Sequence, residues 1–255
     1  MVKVINIYKS QGITPFQLIQ QVKKDRPELQ DQKIGFAGRL DPLAHGVMVL
    51  LVGEENKNRE QYLGLEKEYE FRVLFGVKTD SYDYLGLLES DFTLPPEDLR
   101  MKVDEFVRDY TGELILPYPP FSSKTVSGIP LYKLAKKNKL KETKLPERNV
   151  SITKFEVVGY EYKSAQELQK EILTNLRKIK GFFRQTKIIG GWKEFFQKYP
   201  DQEFVLAKFK ITCSSGTYVR TLAYLLGEKL GSGAIAYEIL RTRVGEYILD
   251  TFRKL

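Results

Sequence analysis

Polar and apolar residues alternate along two long segments of the chain, residues 67–79 and 203–213. Because successive side chains of a β-strand point to opposite faces, this period of two predicts strands that lie in a packed sheet. Further strands are predicted from apolar or alternating runs at residues 4–9, 47–52, 151–162 and 235–249. Strands spread over the whole chain restrict the fold to one that is built around a sheet.

Helical patterns separate some of these strands but not all of them. Thr14 followed by Pro15 predicts a helix start, and apolar residues recur at helical spacing after it. Two other helices are predicted at residues 95–112 and 164–180. Strands and helices therefore do not alternate as they do in a doubly wound fold. We predict one α+β domain over residues 1–255, with a mixed, largely antiparallel sheet flanked by helices.

The chain is basic, with 41 lysines and arginines against 33 aspartates and glutamates and a formal net charge of +8. Cations that neutralise phosphates release condensed counterions, so this excess favours a polyanionic partner such as a nucleic acid. A basic protein that binds no nucleic acid is an equally open interpretation of the charge alone.

The residues that usually hold metals or form disulfides are scarce. Cys213 and His45 are the only cysteine and histidine, which excludes a disulfide within the chain and leaves no zinc site of the usual kind. No segment approaches the roughly 18 apolar residues of a membrane span, and the N-terminus lacks the apolar core of a signal peptide. We expect a cytoplasmic protein with no metal and no membrane segment, and a monomer by default.

A glycine-rich loop at residues 35–46 carries one aspartate, Asp41, in front of an apolar run. A carboxylate here is a candidate nucleophile or base, since the glycines allow backbone and ligand to approach closely. To stay ionised in a buried site it needs a cation, and the candidates are Arg39 nearby and Arg220 near the start of a later helix. From these residues alone, a turn residue is the simpler interpretation of Asp41, and a catalytic role stays open.

Four segments in order are similar to motifs of the TruB family of tRNA pseudouridine synthases. Gly35 to Gly46 carries that family's Gly-x-x-Gly-x-Leu-Asp-Pro-x-Ala-x-Gly pattern, and the other matching segments are residues 5–19, 67–86 and 213–234. The resemblance implies the pseudouridine synthase fold and the isomerisation of uridine to pseudouridine in the T loop of tRNA, at position 55. The base would be flipped out of its stack, with the tRNA T arm as partner and without any cofactor.

The resemblance also implies three catalytic residues. Asp41 would act as a nucleophile or base at the glycosidic carbon or the ribose of the uridine. Tyr69 would lie against the flipped base and help to remove the C5 proton, although a strand aromatic is more often a core residue. Arg220 would pair with Asp41 and hold it ionised.

A flipped base needs a pocket with an apolar or aromatic lining and a basic rim. The residues expected to bind substrate are Phe36, Gly38, Arg39, Leu40, Lys124, Tyr218, Val219 and Leu240. The rim candidates are Lys133, Lys136, Lys137, Lys139, Lys141 and Lys144, together with the basic and aromatic residues from 182 to 198. A solvated helix face is the competing interpretation of the lysine run.

The chain departs from the family pattern at several places. Phe36 stands where the family usually has a histidine, so contacts with RNA are expected to differ in detail. Residues 163–200 are expected to be an insertion. Because the chain stops at Leu255, soon after the last core strand, the C-terminal RNA-binding domain of larger members is expected to be absent.

Two other classes of function stay open. One is a non-catalytic RNA-binding or tRNA-folding protein on the same scaffold, although the residue types at 41, 69 and 220 are those of the catalytic family. The other is a hydrolase that uses Asp41 with another carboxylate. The matching motifs offer no evident second acid for such a pair, which disfavours the hydrolase.

Overall fold

The computed structural model describes residues 2–137, 139–140 and 145–248, so that Lys141, Lys144 and Leu255 lie outside the described residues. Its strands are β1 (Val4–Lys9), β2 (Ile34–Ala37), β3 (His45–Val52), β4 (Lys67–Phe75), β5 (Gly112–Pro117), β6 (Thr125–Val126), β7 (Ile129–Pro130), β8 (Glu147–Ser164), β9 (Glu203–Cys213), β10 (Ala234–Val244) and β11 (Tyr247–Ile248). Its α-helices are α1 (Pro15–Asp25), α2 (Arg59–Gly64), α3 (Leu99–Asp109), α4 (Leu131–Lys136), α5 (Ala165–Lys178), α6 (Gln185–Lys198) and α7 (Val219–Leu230).

Nine of the described strands pair into one sheet. Its order is β1-β3-β10-β4-β9-β8-β5, with β2 paired to β3 and β11 paired to β10. Among the described strands, the pairings are antiparallel except for a short parallel contact between β3 and β10, which joins His45 to Leu240 and Gly46 to Arg241. The predicted α+β class with a mixed, largely antiparallel sheet is confirmed.

Both faces of the sheet are covered, because alternate residues of its central strands belong to different apolar clusters. On β4, Tyr69, Phe71 and Val73 share a buried cluster with residues of α1, α3 and α7. Leu74 points to the other face and shares a second cluster with α5 and α6. The central strands therefore carry apolar residues toward both layers of helices, and Tyr69 lies on the face that α1, α3 and α7 cover.

Capping boxes begin two of the helices where the sequence predicts. Thr14 Oγ1 accepts a hydrogen bond from the Gln17 backbone N–H at 3.3 Å, and Gln17 Oε1 accepts one from the Thr14 N–H at 2.8 Å. Pro15 occupies the first turn, where its missing N–H leaves no intrahelical bond unmade. Ser164 and Glu167 form the same reciprocal pair at α5.

The helices α5 and α6 form a hairpin on the second face. Trp192 of α6 is fully buried, and its indole N–H donates to the Tyr84 carbonyl at 3.0 Å. This bond joins the hairpin to the turn that follows β4. The expected insertion at residues 163–200 covers this hairpin and stays a prediction.

Neither a membrane span nor a metal site is found in the described part of the chain. Within residues 2–137, 139–140 and 145–248, none of the helices combines the length and apolarity needed to span a bilayer. The same residues contain no group of three or more His, Cys, Asp or Glu side chains placed to hold a metal ion.

Candidate active site

A cavity of about 500 Å³ opens beside Tyr69, where four loops of the chain meet. Its walls come from residues 36–44, 81–85, 121–123 and 215–220. Leu40, Val219 and Ile239 give it apolar surface, while charged side chains converge on one side. A cavity of this size, largely apolar with a few convergent polar groups, is typical of small-molecule and nucleotide sites.

Asp41 lines this cavity and pairs with an arginine that is 179 residues away in the sequence. Arg220 Nε donates to Asp41 Oδ2 at 2.8 Å. The Arg220 side chain is buried, with 3% of its surface exposed, whereas Asp41 is 30% exposed. The pair therefore has a buried cation behind a carboxylate that solvent or a ligand can reach.

The remaining nitrogens of Arg220 bind backbone carbonyls of two other loops. Nη1 donates to the Ser81 carbonyl at 2.7 Å, and Nη2 donates to the Phe121 carbonyl at 3.2 Å. Burial by itself lowers the pKa of Arg220, but the carboxylates of Asp41 and Asp83 outweigh it and raise that pKa. The guanidinium is thus a fixed cation that ties three loops together around the cavity.

Asp83 is a second acid at the site, and it corrects the expectation that the matching motifs supply none. Its Oδ2 lies 3.7 Å from Arg220 Nε. Its Oδ1 accepts hydrogen bonds from the Ser81 hydroxyl at 2.6 Å and from the Leu85 backbone N–H at 2.9 Å. Burial raises the pKa of Asp83 to about 6, with Arg220 acting in the opposite direction. In the sequence, an aspartate in a Thr-Asp-x-x-Asp turn resembles an ordinary turn residue. Only the folded chain, which places Asp83 near Arg220, shows that it belongs to the site.

Tyr69 is both a core residue and a cavity residue. It belongs to the buried apolar cluster of its face, and it also lines the cavity. Burial raises the pKa of its phenol, which keeps the hydroxyl neutral at physiological pH. In the sheet it lies opposite Arg241 of β10. The two interpretations of Tyr69 from the sequence therefore do not exclude each other.

Arg241 is a buried cation that the sequence analysis missed. Its guanidinium donates to the Val47 carbonyl at 2.8 Å and to the Gly38 carbonyl at 3.2 Å. The second bond fixes the backbone of the loop just before Asp41. An arginine in an alternating strand is ordinarily assigned to the solvent-exposed face, and this assignment is wrong here because the side chain turns under the loop.

Gly46 allows the strand after this loop to approach β10 closely. A Cβ atom at Gly46 would lie 2.2 Å from the Arg241 carbonyl oxygen, and the residue has φ of +112°. Both observations require glycine. The glycine therefore places the loop that holds Asp41 against the strand that carries Arg241.

Lys9 is a third buried cation near Asp41. Its side chain is fully buried, and Nζ donates to the carbonyls of Ser10 and Ile13 at 3.0 and 2.8 Å. Burial lowers the pKa of Lys9 to about 7, while the charge of Asp41 acts to raise it. Lys9 closes the turn that precedes α1.

Six of the eight residues predicted to bind substrate line the cavity. They are Phe36, Gly38, Arg39, Leu40, Tyr218 and Val219. Lys124 is not among the residues of the cavity wall; its ammonium lies 5.4 Å from the ring centroid of Tyr118. The structure thus leaves Lys124 on the loop that borders the site rather than inside it.

Leu240 is a correction, because it points away from the cavity. It pairs with Glu70 of β4, whereas its neighbour Ile239 pairs with Phe71 and lines the cavity. The physical reason is a register shift in β10 between Ala236 and Glu238. One extra residue in a strand moves every later side chain to the other face.

The chain matches known proteins over most of its length. The family model described as the TruB family pseudouridylate synthase N-terminal domain matches residues 26–181. The tRNA pseudouridine synthase B of Aquifex aeolicus is 31% identical over 244 residues, which are 96% of this chain and 69% of that protein. The protein of the same name from Protochlamydia amoebophila is 32% identical, over 97% of this chain and 76% of its own length.

This chain belongs to the TruB family. A solved Cbf5–Nop10–Gar1 complex contains a chain that superposes with a TM-score of 0.58 at 20% identity, over 97% of this chain. At this identity the likeness shows the fold alone, which is the predicted pseudouridine synthase fold. The alignment covers 50% of the solved chain, so this TruB-family chain spans about half of its length.

The mouth of the cavity in this TruB-family chain has basic and aromatic residues on two sides. Tyr132 and Lys136 come from α4, and Phe183 and Arg184 come from the loop between α5 and α6. The other described lysines of the predicted run are exposed on α4 or just after it: Lys133, Lys137 and Lys139. The predicted rim is therefore only partly located at the mouth.

Phe36 forms another part of the cavity wall, between two arginines. The guanidinium carbons of Arg39 and Arg59 each lie 5.8 Å from the centre of its ring. Arg59 Nε also donates to the Phe36 carbonyl at 3.2 Å. At these distances the cations interact with the ring face, so Phe36 presents an aromatic surface held between positive charges.

Proposed function

We propose that this TruB-family chain isomerises uridine to pseudouridine in tRNA, at position 55 of the T loop, on a base flipped into the cavity. The observation that carries the proposal is the pair of Asp41 and Arg220 at the wall of a cavity of about 500 Å³. The names of the relatives, tRNA pseudouridine synthase B, support tRNA as the substrate. We further propose that the chain acts as a monomer in the cytoplasm, without metal or cofactor.

In this proposal Asp41 acts on the sugar side of the glycosidic bond, as a nucleophile at the glycosidic carbon or as a base on the ribose. The bond from the ribose to N1 breaks, the base turns within the cavity, and a bond from the ribose to C5 forms. The proton on C5 then leaves and N1 gains a proton, so that the product is an isomer of the substrate. Arg220 places a fixed positive charge beside Asp41, which favours a charged carboxylate there before it reacts.

The other cavity residues are assigned to contacts with the base. Tyr69 is a neutral phenol whose ring packs against the flipped base and whose hydroxyl assists the removal of the C5 proton. Leu40, Val219 and Ile239 exclude water from the base. Flipping a base costs stacking free energy, which such apolar and aromatic contacts offset.

The proposal is tested with an unmodified tRNA transcript that carries tritium at C5 of its uridines. Release of tritium to water reports the reaction, and mapping of the product reports the position. Asp41→Asn keeps the size of the side chain but removes the reactive carboxylate, so release should fall to background while RNA binding is retained. Asp91→Asn, an exposed aspartate that pairs with Lys198, is the matched control and should react as the wild type does.

Release by Asp41→Asn at the wild-type rate would refute the role of Asp41, and no release by the wild type would refute the activity.

A hydrolase with two carboxylates gains no support from Asp83. The two acids lie on one guanidinium nitrogen, at 2.8 and 3.7 Å, instead of flanking a space for the scissile bond. A non-catalytic RNA-binding protein would instead bind the transcript equally well with Asp41 or asparagine and never release tritium.

A further inference from the structure

The loop between α5 and α6, residues 179–184, stands at the mouth of the cavity and carries an exposed aromatic ring. We call it the hairpin tip. Phe182 has 98% of its surface exposed, the largest fraction for any bulky apolar residue in the described part of the chain. Its neighbours Phe183 and Arg184 line the cavity. The Phe182 carbonyl accepts a hydrogen bond from Lys136 Nζ at 3.5 Å, while its side chain is held in water beside the cavity, which favours a role for the ring in recognition.

One end of the hairpin tip is fixed to the loop before α1. The Lys180 N–H donates to the Gly12 carbonyl at 3.2 Å, and Gln17 Nε2 donates to the Lys180 carbonyl at 3.4 Å. Gly12 N–H in turn donates to the Pro42 carbonyl at 2.8 Å, next to Asp41. The tip therefore has a defined position relative to the catalytic loop.

Arg184 fixes the other end of the hairpin tip. Its Nη1 and Nη2 donate to the two carboxylate oxygens of Asp80 at 2.6 and 3.1 Å. Its guanidinium carbon lies 4.6 Å from the centre of the Phe121 ring. A two-point ion pair combined with stacking on an aromatic ring is a rigid arrangement for an arginine. Because Asp80 and Phe121 belong to the loops that hold Arg220, the tip is attached to the wall of the cavity itself.

The charged residues within the sequence of the hairpin tip and its flanks are all cations. From residue 177 to residue 187 the sequence contains five cations and no carboxylate: Arg177, Lys178, Lys180, Arg184 and Lys187. Within the described part of the chain, no acid lies within ion-pair distance of Lys180 or Lys187, and both are exposed. An exposed aromatic ring among cations of this kind matches the chemistry of single-stranded nucleic acid, in which bases stack and phosphates attract lysine.

We propose that the hairpin tip binds unpaired nucleotides of the RNA next to the flipped one. Phe182 stacks on an unpaired base, and Lys180 and Lys187 contact the phosphates that follow it. The inference rests on the proposed function, because it takes the occupant of the cavity to be a nucleotide of an RNA chain. It assigns a binding role to the hairpin α5–α6 that the reaction chemistry itself does not require.

Phe182→Ala tests the stacking contact. Base–aromatic stacking contributes enough that its loss should raise the KM for the unmodified transcript about tenfold, with kcat unchanged because Phe182 does not touch the reaction centre. Tyr162→Ala is the matched control, since Tyr162 is also an exposed aromatic residue, with 53% of its surface exposed, and does not line the cavity. Because the Phe182 side chain is almost fully exposed, the Phe182→Ala variant should have the same thermal unfolding temperature as the wild type.

Fluorescence anisotropy with labelled transcript measures binding without catalysis. Phe182→Ala should weaken binding about tenfold. Lys180→Gln with Lys187→Gln should reduce the slope of log affinity against log salt by about 0.7 per lost phosphate contact, the value for single strands. The proposal would be overturned if Phe182→Ala had the affinity and the KM of the wild type. It would also be overturned if the substitution weakened binding to anionic phosphatidylserine vesicles but not binding to RNA. Anisotropy measures binding directly. If the wild type binds RNA but releases no tritium, the activity is refuted, and the anisotropy of Phe182→Ala still decides the role of the hairpin tip.

Discussion

Asp83→Asn keeps the shape of a buried side chain at the candidate active site and removes its charge. The Asp83 oxygen that accepts from the Ser81 hydroxyl and the Leu85 N–H can be replaced by an amide oxygen, which accepts the same two bonds. The other oxygen faces Arg220 Nε at 3.7 Å and makes no closer contact with it. The variant therefore isolates the free energy of holding one ionised carboxylate in this environment.

The magnitude follows from the pKa of Asp83, which burial raises from 3.8 to about 6. An acid with a higher pKa in the folded state binds protons more tightly when folded. Its contribution to stability is thus fully present below pH 3.8 and is lost as the pH rises through about 6. The difference between 3.8 and 6, at about 1.36 kcal/mol for each pKa unit, corresponds to a loss of about 3 kcal/mol above pH 6.

Urea unfolding followed by circular dichroism from about pH 4 to about pH 7 measures this loss. The free energy of unfolding of Asp83→Asn minus that of the wild type should increase by about 2.5 kcal/mol over this range, because asparagine does not titrate and a small part of the loss already lies below pH 4. Other acids are common to both proteins and cancel in the difference. Asp91→Asn removes an exposed carboxylate far from this environment and is the control for the loss of one negative charge. A difference for Asp83→Asn that is constant, or that decreases as the pH rises, would refute the reasoning.

Two further substitutions test the packing that positions the site. Gly46→Ala should destabilise the protein by more than about 2 kcal/mol in thermal unfolding, since the new Cβ would lie 2.2 Å from the Arg241 carbonyl oxygen. An unchanged Tm would show that β3 can move away from β10. Trp192→Ala should cost about 3–5 kcal/mol in urea unfolding, because it leaves a void in the second core and removes the bond to the Tyr84 carbonyl; a loss below about 1 kcal/mol would place the hairpin outside the cooperative core.

The parts of the fold that the sequence predicts well are those in which local pattern and tertiary packing agree. Most of the alternation at residues 67–79 and 203–213 is retained in β4 and β9, because one face of those strands packs into the apolar cluster while charged residues on the other face stay at least partly exposed. The helix α6 is harder to predict, since Gly190 and Gly191 in its middle disfavour a helix. It forms because Trp192 and the aromatic residues after it are buried against the sheet, which is information that local sequence does not contain.

The candidate site was only partly predictable for the same reason. The residues alone offer both Arg39 and Arg220 as partners for Asp41, and only the family resemblance favours Arg220, since nothing in the local sequence indicates that residues 179 positions apart will meet. Leu240 is expected in the pocket lining, but the register shift between Ala236 and Glu238 places Ile239 there instead, and no local sequence signal marks that shift. Asp83 and Arg241 were missed because a turn aspartate and a strand arginine have common structural roles, and only the folded chain places them next to the cavity.

The way in which Asp41 is held fits a reacting carboxylate better than a structural one. Arg220 gives Asp41 a single hydrogen bond from Nε, because both of its Nη atoms are bound to the Ser81 and Phe121 carbonyls. A two-point pair would stabilise the charge more strongly but would occupy both carboxylate oxygens. Within the described residues, Arg220 is the one side chain that hydrogen-bonds to Asp41, and Asp41 remains 30% exposed. The two carbonyls thus leave Nε of the guanidinium to meet Asp41, an arrangement that supports the proposed role of Asp41 as the reacting group.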